Sequence, residues 1–229
     1  MRARILTSRC KHSATGSFPA GVFCGRPSRR HVGMELASRL DVRRSVIVRQ
    51  TRRTMRVQQM LDGHTGIVVR SARRSDCSHL ADIFCQSWRG AYRGIIPHTT
   101  LEAIINRRGS MWWARALKGS DRLIVLEFDR TLAGYATFGP ARGANPKRRG
   151  EIYELYLAPS YQGLGLGEYL FEACRNRLDQ TGHHGLIVWA LGANTQATDF
   201  YWRRGGRPIA ATQERVGGHS LEKIAFAWA

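Results

Sequence analysis

Three glycines in a short turn carry the strongest chemical signal in this sequence of 229 residues. Gly163, Gly165 and Gly167 follow an apolar run that stops at Pro159, and a helical apolar pattern begins at Leu166. A strand that enters a helix through such a turn presents unpaired backbone N–H groups and the positive helix end to an anion, typically a phosphate. The spacing lacks the Lys-Ser/Thr of a P-loop and the full dinucleotide fingerprint. The turn therefore indicates a phosphate-containing ligand other than a nucleoside triphosphate or NAD, although strand-to-helix turns also use glycine for steric reasons.

The elements that must position this turn alternate between strands and helices from Ile67 onward. Strands are predicted at 67–69, 123–128, 132–138, 151–157, 186–191, 207–216 and 221–228, and helices at 77–88, 101–105, 111–117, 166–178 and 195–204. The dipeptide Asp129-Arg130 predicts a tight hairpin turn. This order predicts the α+β class, with a mixed, mostly antiparallel sheet flanked by helices in one domain, 66–229.

Three separated segments resemble a known family. The segment 155–167, LYLAPSYQGLGLG, is similar to the acyl-CoA-binding motif of the GNAT superfamily of N-acetyltransferases, in which an apolar strand precedes Gln/Arg-x-x-Gly-x-Gly/Ala. Asn194, with the helical stretch 197–201 closed by Gly205-Gly206, and the earlier segment 87–94, SWRGAYRG, also match. The order of elements from Ile67 to Trp228 is similar to that family, and nothing before Ile67 matches.

The resemblance implies that acetyl-CoA is the acyl donor. Backbone N–H groups of the turn would hold the pyrophosphate, and the preceding strand would pair with the pantetheine arm like an added strand. A bulge would splay this strand from the next one, and the N–H near Leu155 would polarise the thioester carbonyl. The residues that the resemblance assigns to the cofactor are Leu155, Tyr156, Leu157, Gln162, Gly163, Leu164, Gly165, Gly167 and Asn194.

The expected acceptor is a primary amine, which must lose a proton before it attacks a thioester because its pKa is about 10. Glu151 and Glu154 are the carboxylates on the strand. Glu151 matches the position of the base in several branches of the family, whereas Glu154 lies on the opposite face by the two-residue period. A bulge would bring either one to the substrate, so both are candidates. The resemblance places Tyr201 near the sulfur, where its phenol would protonate the departing thiolate.

Two aromatic residues within the matched segment 87–94 are candidates for the acceptor pocket. Trp88 and Tyr92 are assigned to substrate binding, with core packing as the alternative, because aromatic residues at helical spacing are typical of a core. His183-His184 lacks a Cys or carboxylate at ligand spacing, so no metal is expected.

The positive charge is concentrated at the start of the chain. Residues 1–60 contain 14 Lys and Arg against two acids, Glu35 and Asp41, and so carry +12 of the formal net charge of +19. Without a sustained apolar period, segment 1–65 is predicted to be an Arg-rich disordered extension. The alternatives are a nucleic-acid-binding arm, a transit peptide and an ordered extension.

The composition favours a cytoplasmic protein that does not enter a membrane. No apolar run approaches the roughly 18 residues that span a bilayer, and the five cysteines form no CxxC pair. The expected function is acetyl transfer from acetyl-CoA to a primary amine, of a small molecule, a peptide or a protein, by direct attack. The alternative is a non-catalytic acyl-CoA-binding regulatory module with a basic nucleic-acid-binding tail. The sequence leaves the acceptor and the oligomeric state open.

Overall fold

The computed structural model of the chain describes residues 66–118, 122–142 and 149–228. The Arg-rich segment 1–65 lies outside these residues, so its expected disorder and the domain boundary beside it stay predictions. The described residues form one seven-stranded sheet flanked by helices, which confirms the predicted α+β class. Within these ranges, no helix combines the length and apolar character that crossing a membrane requires.

The elements follow the predicted order. The strands are β1 (Ile67–Ser71), β2 (Leu123–Phe128), β3 (Thr131–Pro140), β4 (Gly150–Leu157), β5 (Leu186–Leu191), β6 (Arg207–Val216) and β7 (His219–Trp228). The α-helices are α1 (Cys77–Tyr92), α2 (His98–Asn106), α3 (Ser110–Ala116), α4 (Leu166–Gln180) and α5 (Thr195–Arg203), with short 3-10 turns at Arg74–Asp76 and Pro159–Tyr161. The strands lie in the order β1-β2-β3-β4-β5-β7-β6, in which β4 and β5 are parallel and all other neighbours are antiparallel.

The β2–β3 hairpin forms where the sequence predicts it. Asp129 and Arg130 have φ angles of 48° and 65°, the left-handed pair of a two-residue turn whose twist matches that of the flanking strands. The hairpin brings β3 beside β2 and leaves the other edge of β3 free for β4.

Both faces of the sheet are covered by apolar clusters. On one face, α4 packs Leu170 and Phe171 against residues that include Ile152 of β4. On the other face, α1, α2 and α3 pack around Phe84, Trp113 and neighbouring residues of the sheet. Full burial of such a side chain contributes about 1.5–3 kcal/mol, so these clusters fix the position of β4 between the helices.

Strand β4 diverges from β5 halfway along its length. The parallel pairing covers the first three residues of β4, Gly150 to Ile152, and then stops. Towards β3, Ile152 pairs with Phe138 and Glu154 pairs with Thr137, which leaves Tyr153 as the extra residue of a β-bulge. Because a bulge bends its strand, β4 turns away from β5 and a gap opens between the two strands.

Candidate active site

A cleft of about 410 Å³ occupies the gap between β4 and β5. Its walls come from β4, β5 and the end of α1, and it extends to the glycine turn before α4 and to α5. The residues that line it include Tyr92, Glu154, Leu155, Tyr156, Leu157, Gln162, Gly163, Gly165, Gly167, Asn194 and Tyr201. The fold thus brings together most of the residues that the sequence assigns to donor binding and catalysis.

The second half of β4 presents backbone groups to this cleft. The N–H of Ala158 donates to β3 at 2.9 Å, and the carbonyl of Leu157 points the other way. That carbonyl accepts hydrogen bonds from Ser87 Oγ at 2.9 Å and Gln162 Nε2 at 3.0 Å. Because backbone groups alternate along a strand, the N–H groups of Leu155 and Leu157 also face away from β3. They face the cleft, since β5 pairs with only the first three residues of β4.

The glycine turn is open on the side where side chains would project. Gly163 and Gly165 have φ angles of 77° and 79°, which L side chains rarely adopt, and no atom lies within 4 Å of a Cβ built at either position. Gly165 is the N-cap of α4, a helix of 15 residues, and Leu164 between the two glycines is exposed. A helix N-terminus with an unobstructed glycine backbone fits a phosphate group, so the turn suits the pyrophosphate that the family resemblance implies there.

Asn194 joins the cleft to the start of α5. Its buried side chain accepts a hydrogen bond from the backbone N–H of Ala197 at 3.1 Å and so caps the helix. The same side chain lies close to the hydroxyl of Tyr92. Asn194 therefore lies in the cleft, as expected for a pantetheine contact, but its carbonyl oxygen is engaged by α5.

Glu154 lines the cleft, and its negative charge is compensated by Arg108. Its Oε1 forms an ion pair with Nη1 of Arg108, and its Oε2 accepts a hydrogen bond from the hydroxyl of Tyr135 at 3.2 Å. The guanidinium of Arg108 lies 4.6 Å from the ring centroids of both Phe84 and Trp112. The aromatic faces and the carboxylate together hold this cation in a largely buried position, so the Glu154 carboxylate is fixed at the cleft wall.

Glu151 occupies a different environment. Its side chain is almost fully buried and accepts hydrogen bonds from the backbone N–H and the guanidinium of Arg142. The guanidinium of Arg142 in turn lies 4.0 Å from the ring centroid of Tyr153. The structure thus places Glu154 in the cleft and Glu151 in an ion pair with the segment after β3; which of them is the base stays a prediction.

Tyr92 and Trp88, the two residues assigned to the acceptor, differ in position. Tyr92 lines the cleft, and its hydroxyl lies 3.0 Å from the hydroxyl of Tyr156. Burial raises the pKa of both phenols, so they remain protonated near neutral pH. The ring of Trp88 packs 4.8 Å from that of Tyr92 and 4.9 Å from that of Phe84, which places it in the core behind the cleft.

Tyr201 projects from α5 into an aromatic environment. It lines the cleft and is 6% exposed, with the rings of Phe171, Phe200, Phe226 and Trp228 around it. Burial raises the pKa of its phenol above the ordinary value of 10.0. A phenol in this position holds a proton at neutral pH and can donate it in the cleft.

Several residues of the site escape prediction from the sequence. Arg108 lies 46 positions before Glu154 in the polar break between α2 and α3, and Tyr135 belongs to an ordinary apolar strand. Neither has a local motif that signals its contact with Glu154. Ser87 lies within the matched segment 87–94, but that match does not indicate its hydrogen bond to β4.

The fold and the cleft are those of an acyl-CoA-binding acetyltransferase. The model of the acetyltransferase (GNAT) family matches residues 80–205 of the chain, more than half of its length, and the chain belongs to this family. An uncharacterized N-acetyltransferase of Bacillus subtilis, YuaI, is 28% identical over 163 residues, which cover 71% of this chain and 92% of the relative. The L-amino acid N-acyltransferase MnaT of Escherichia coli is 28% identical over 150 residues, 65% of this chain and 84% of the relative.

Solved structures share the fold. The PaiA N-acetyltransferase of Thermoplasma acidophilum, crystallised in complex with coenzyme A, has a TM-score of 0.57 at 18% identity and matches 69% of this chain and 98% of its own. The family expected from the sequence is therefore confirmed, and the chain is an acetyl-CoA-dependent acyltransferase.

Proposed function

We propose that this protein transfers the acetyl group of acetyl-CoA to the primary amine of a small molecule by direct attack. The observation that carries the proposal is the cleft between β4 and β5, because one cavity combines free backbone donors, the open glycine turn, a carboxylate and a buried phenol. Acetyl-CoA supplies the reaction with an electrophilic thioester carbonyl and a thiolate leaving group.

Donor binding falls to the backbone of β4 and of the glycine turn. The N–H groups of Gln162, Gly163, Leu164, Gly165 and Gly167 hold the pyrophosphate in this proposal. The backbone N–H of Leu157 pairs with the pantetheine arm, whereas Tyr156, whose backbone faces β3, contributes its side chain to the cleft wall. The N–H of Leu155 polarises the thioester oxygen in a part of the cleft that lacks a neighbouring strand. The side chain of Asn194 contacts the pantetheine from the opposite wall.

Glu154 is the proposed base because it lines the cleft. Its carboxylate accepts a proton from the acceptor ammonium, directly or through one water, and the free amine then attacks. Arg108 and Tyr135 hold the carboxylate oxygens while this happens. Glu151 is the other candidate, and its engagement by Arg142 argues for a structural contribution.

Tyr201 is the proposed acid. Its phenol lies in the cleft on α5, opposite β4, and its raised pKa keeps it protonated at the pH of the reaction. A proton delivered by this group to the departing sulfur prevents the reverse attack of the thiolate. In this proposal Tyr201 on α5 is the general acid, and Glu154 on β4 is the general base.

A small molecule is the proposed acceptor. One relative is named for acyl transfer to L-amino acids, which supports an amino group on a small carbon skeleton. Tyr92 and Trp189 contribute aromatic surface to the cleft, suited to such a skeleton. The alternative of a non-catalytic acyl-CoA-binding module finds no support among the relatives. A cytoplasmic location and a separate 1–65 extension remain part of the proposal.

A panel of amines tests this function. Free CoA released from acetyl-CoA is followed with L-amino acids, amino acid analogues, simple amines and short peptides, and the acetylated product is identified by mass spectrometry. We expect release with one group of small amines and none with matched acids that lack an amino group. Stoichiometric CoA binding without transfer to any amine would contradict the proposed reaction, and transfer restricted to peptides would replace the acceptor class.

A further inference from the structure

The phosphate end of the cleft contains a carboxylate. Glu168 lies in the first turn of α4, where its backbone N–H donates to the carbonyl of Gly165 at 3.0 Å, and its side chain lines the cleft together with the glycines. A carboxylate in the first turn is stabilised by the positive end of the helix. The same charge repels a phosphate bound at that helix end, so Glu168 opposes donor binding unless a cation compensates it.

Arg204 provides this cation from the end of α5. Its Nη1 forms an ion pair with Oε1 of Glu168, and the two side chains are 27% and 28% exposed. The backbone of Arg204 is held on both sides, since its N–H donates to the carbonyl of Phe200 at 3.1 Å and its carbonyl accepts from Trp228 Nε1 at 2.9 Å. The side chain therefore starts from a fixed position beside the glycine turn.

Arg204 retains donors that the ion pair does not use. A guanidinium carries five N–H groups in a planar fork, and the contact with Glu168 is made through Nη1. In the described part of the chain, its buried Nε has no hydrogen-bond partner. Arg203, the preceding residue, is exposed and also lines the cleft. Two guanidinium groups and one carboxylate thus leave this end of the cleft with a positive balance.

We propose that Arg204 binds a phosphate of the CoA donor and cancels the charge of Glu168 beside the glycine turn. The inference rests on the proposed acetyl-CoA-dependent function and adds a residue pair that sets donor affinity. Glu168 and the phosphate compete for the same guanidinium, so Glu168 lowers the affinity for CoA. A lower affinity for CoA favours its release after the acetyl group has been transferred.

Binding of CoA to the full chain, measured by calorimetry, tests this pair. R204Q should weaken CoA binding about 10- to 100-fold, because it removes a charge-assisted hydrogen bond and leaves Glu168 uncompensated. E168Q should tighten binding about 3- to 10-fold, since the glutamine keeps a hydrogen-bond acceptor for Arg204 without the charge. The double variant should bind more tightly than R204Q alone. Raising the salt concentration should weaken CoA binding less in R204Q than in the wild type.

Two controls separate electrostatics from folding. R177Q removes an arginine from α4, the helix that contains Glu168. The Arg177 guanidinium hydrogen-bonds Ser71 Oγ at 3.0 Å outside the cleft, so R177Q should leave CoA binding unchanged. S-acetylpantetheine lacks the phosphates, so its kcat/KM as donor should be the same in R204Q and the wild type.

The outcomes against the proposal are specific. Unchanged CoA affinity in R204Q would overturn the proposal. An E168Q protein that binds CoA as weakly as R204Q would also overturn it, because the ion pair would then only connect α4 to α5. Failure of the wild type itself to bind CoA would instead contradict the proposed function.

Discussion

Glu151 accepts three hydrogen bonds from one residue, Arg142: from the backbone N–H at 2.7 Å, from Nη2 at 2.7 Å and from Nε at 3.1 Å. Glu154, three residues further along β4, lines the cleft and contacts Arg108. The bulged residue Tyr153 lies between them. The two glutamates thus differ in their partners and in their access to the cleft. Substitutions should therefore separate their contributions to stability and to catalysis.

Glu154→Gln should remove proton acceptance without changing the shape of the cleft. We expect kcat/KM for the amine to fall about 100- to 10,000-fold, the range of general base catalysis, while the affinity for CoA stays within about twofold. Steady-state kinetics and calorimetry on the same preparation check both values. Because an amine that is already deprotonated needs no base, the deficit should shrink as the pH rises. A variant with wild-type kcat/KM at neutral pH would remove Glu154 from the reaction.

Glu151→Gln should act on stability rather than turnover. A neutral amide cannot satisfy the guanidinium and the backbone N–H of Arg142 equally well, and loss of these buried contacts costs about 1–3 kcal/mol. Urea denaturation measures the cost, and kcat should remain within a few-fold of the wild type. If the variant folded normally but lost turnover while Glu154→Gln kept it, Glu151 would be the base.

The fold could be predicted because it depends on local patterns. The apolar spacing of the helices, the Asp129-Arg130 turn and the glycine turn each leave a signature within a few residues, and each element appears in the structure. These signatures depend on backbone geometry, which neighbouring residues determine. The order of the elements is that of the family, so the mixed, mostly antiparallel sheet could be predicted as well.

Which of the two glutamates lines the cleft could not be predicted, because the bulge shifts the alternation of β4. Ile152 packs under α4, whereas Glu154 contacts residues on the opposite face of the sheet, although an unbroken strand would place both on one face. The bulge depends on the register with β3, which the residues of β4 do not reveal. The contacts of Arg108 and Arg204 join residues far apart in the chain and leave no local signal.

Tyr201→Phe tests the acid. The phenol donates its proton in the transition state and has little part in ground-state binding, so kcat should fall about 10- to 1000-fold with a nearly constant KM for acetyl-CoA. Tyr161→Phe is a matched control, since the Tyr161 ring packs 6.2 Å from that of Phe128 and is not part of the proposed machinery. An unaltered kcat in the first variant would leave Tyr201 with a packing role alone.

Gly165→Val tests the phosphate cradle. A branched side chain would project into the open space beside the turn and block close approach of a phosphate, so CoA binding measured by calorimetry should be lost. The positive φ strains any substituent, and Gly182→Val controls for this because Gly182 has a φ of 78° and equally open surroundings at the other end of α4. If both variants lost CoA affinity equally, backbone strain would explain the loss, and the phosphate cradle would not be supported.

Alkaline pH should lower the stability of the fold. Burial raises the pKa of Tyr92, Tyr135, Tyr156 and Tyr201 above the ordinary value of 10.0. Above pH 10 the unfolded chain releases these protons while the folded chain retains them, so the free energy of unfolding falls, by at most about 1.4 kcal/mol per pH unit for each tyrosine. Urea midpoints should be constant from neutral pH to about pH 9 and drop beyond pH 10. A constant midpoint through pH 11 would contradict this burial.

Deletion of residues 1–60 should leave the melting temperature and the acetyl-transfer kinetics nearly unchanged. The seven strands and the residues lining the cleft lie between Ile67 and Trp228, and the deleted segment has no sustained apolar period with which to dock on them. The segment also carries +12 of the net charge of +19, so any salt-sensitive retention of the full chain on DNA should largely disappear with it. A fall of many degrees in melting temperature would show that the extension stabilises the domain and that the boundary lies before residue 66. Equal retention of both forms on DNA would place the polyanion-binding surface on the domain itself.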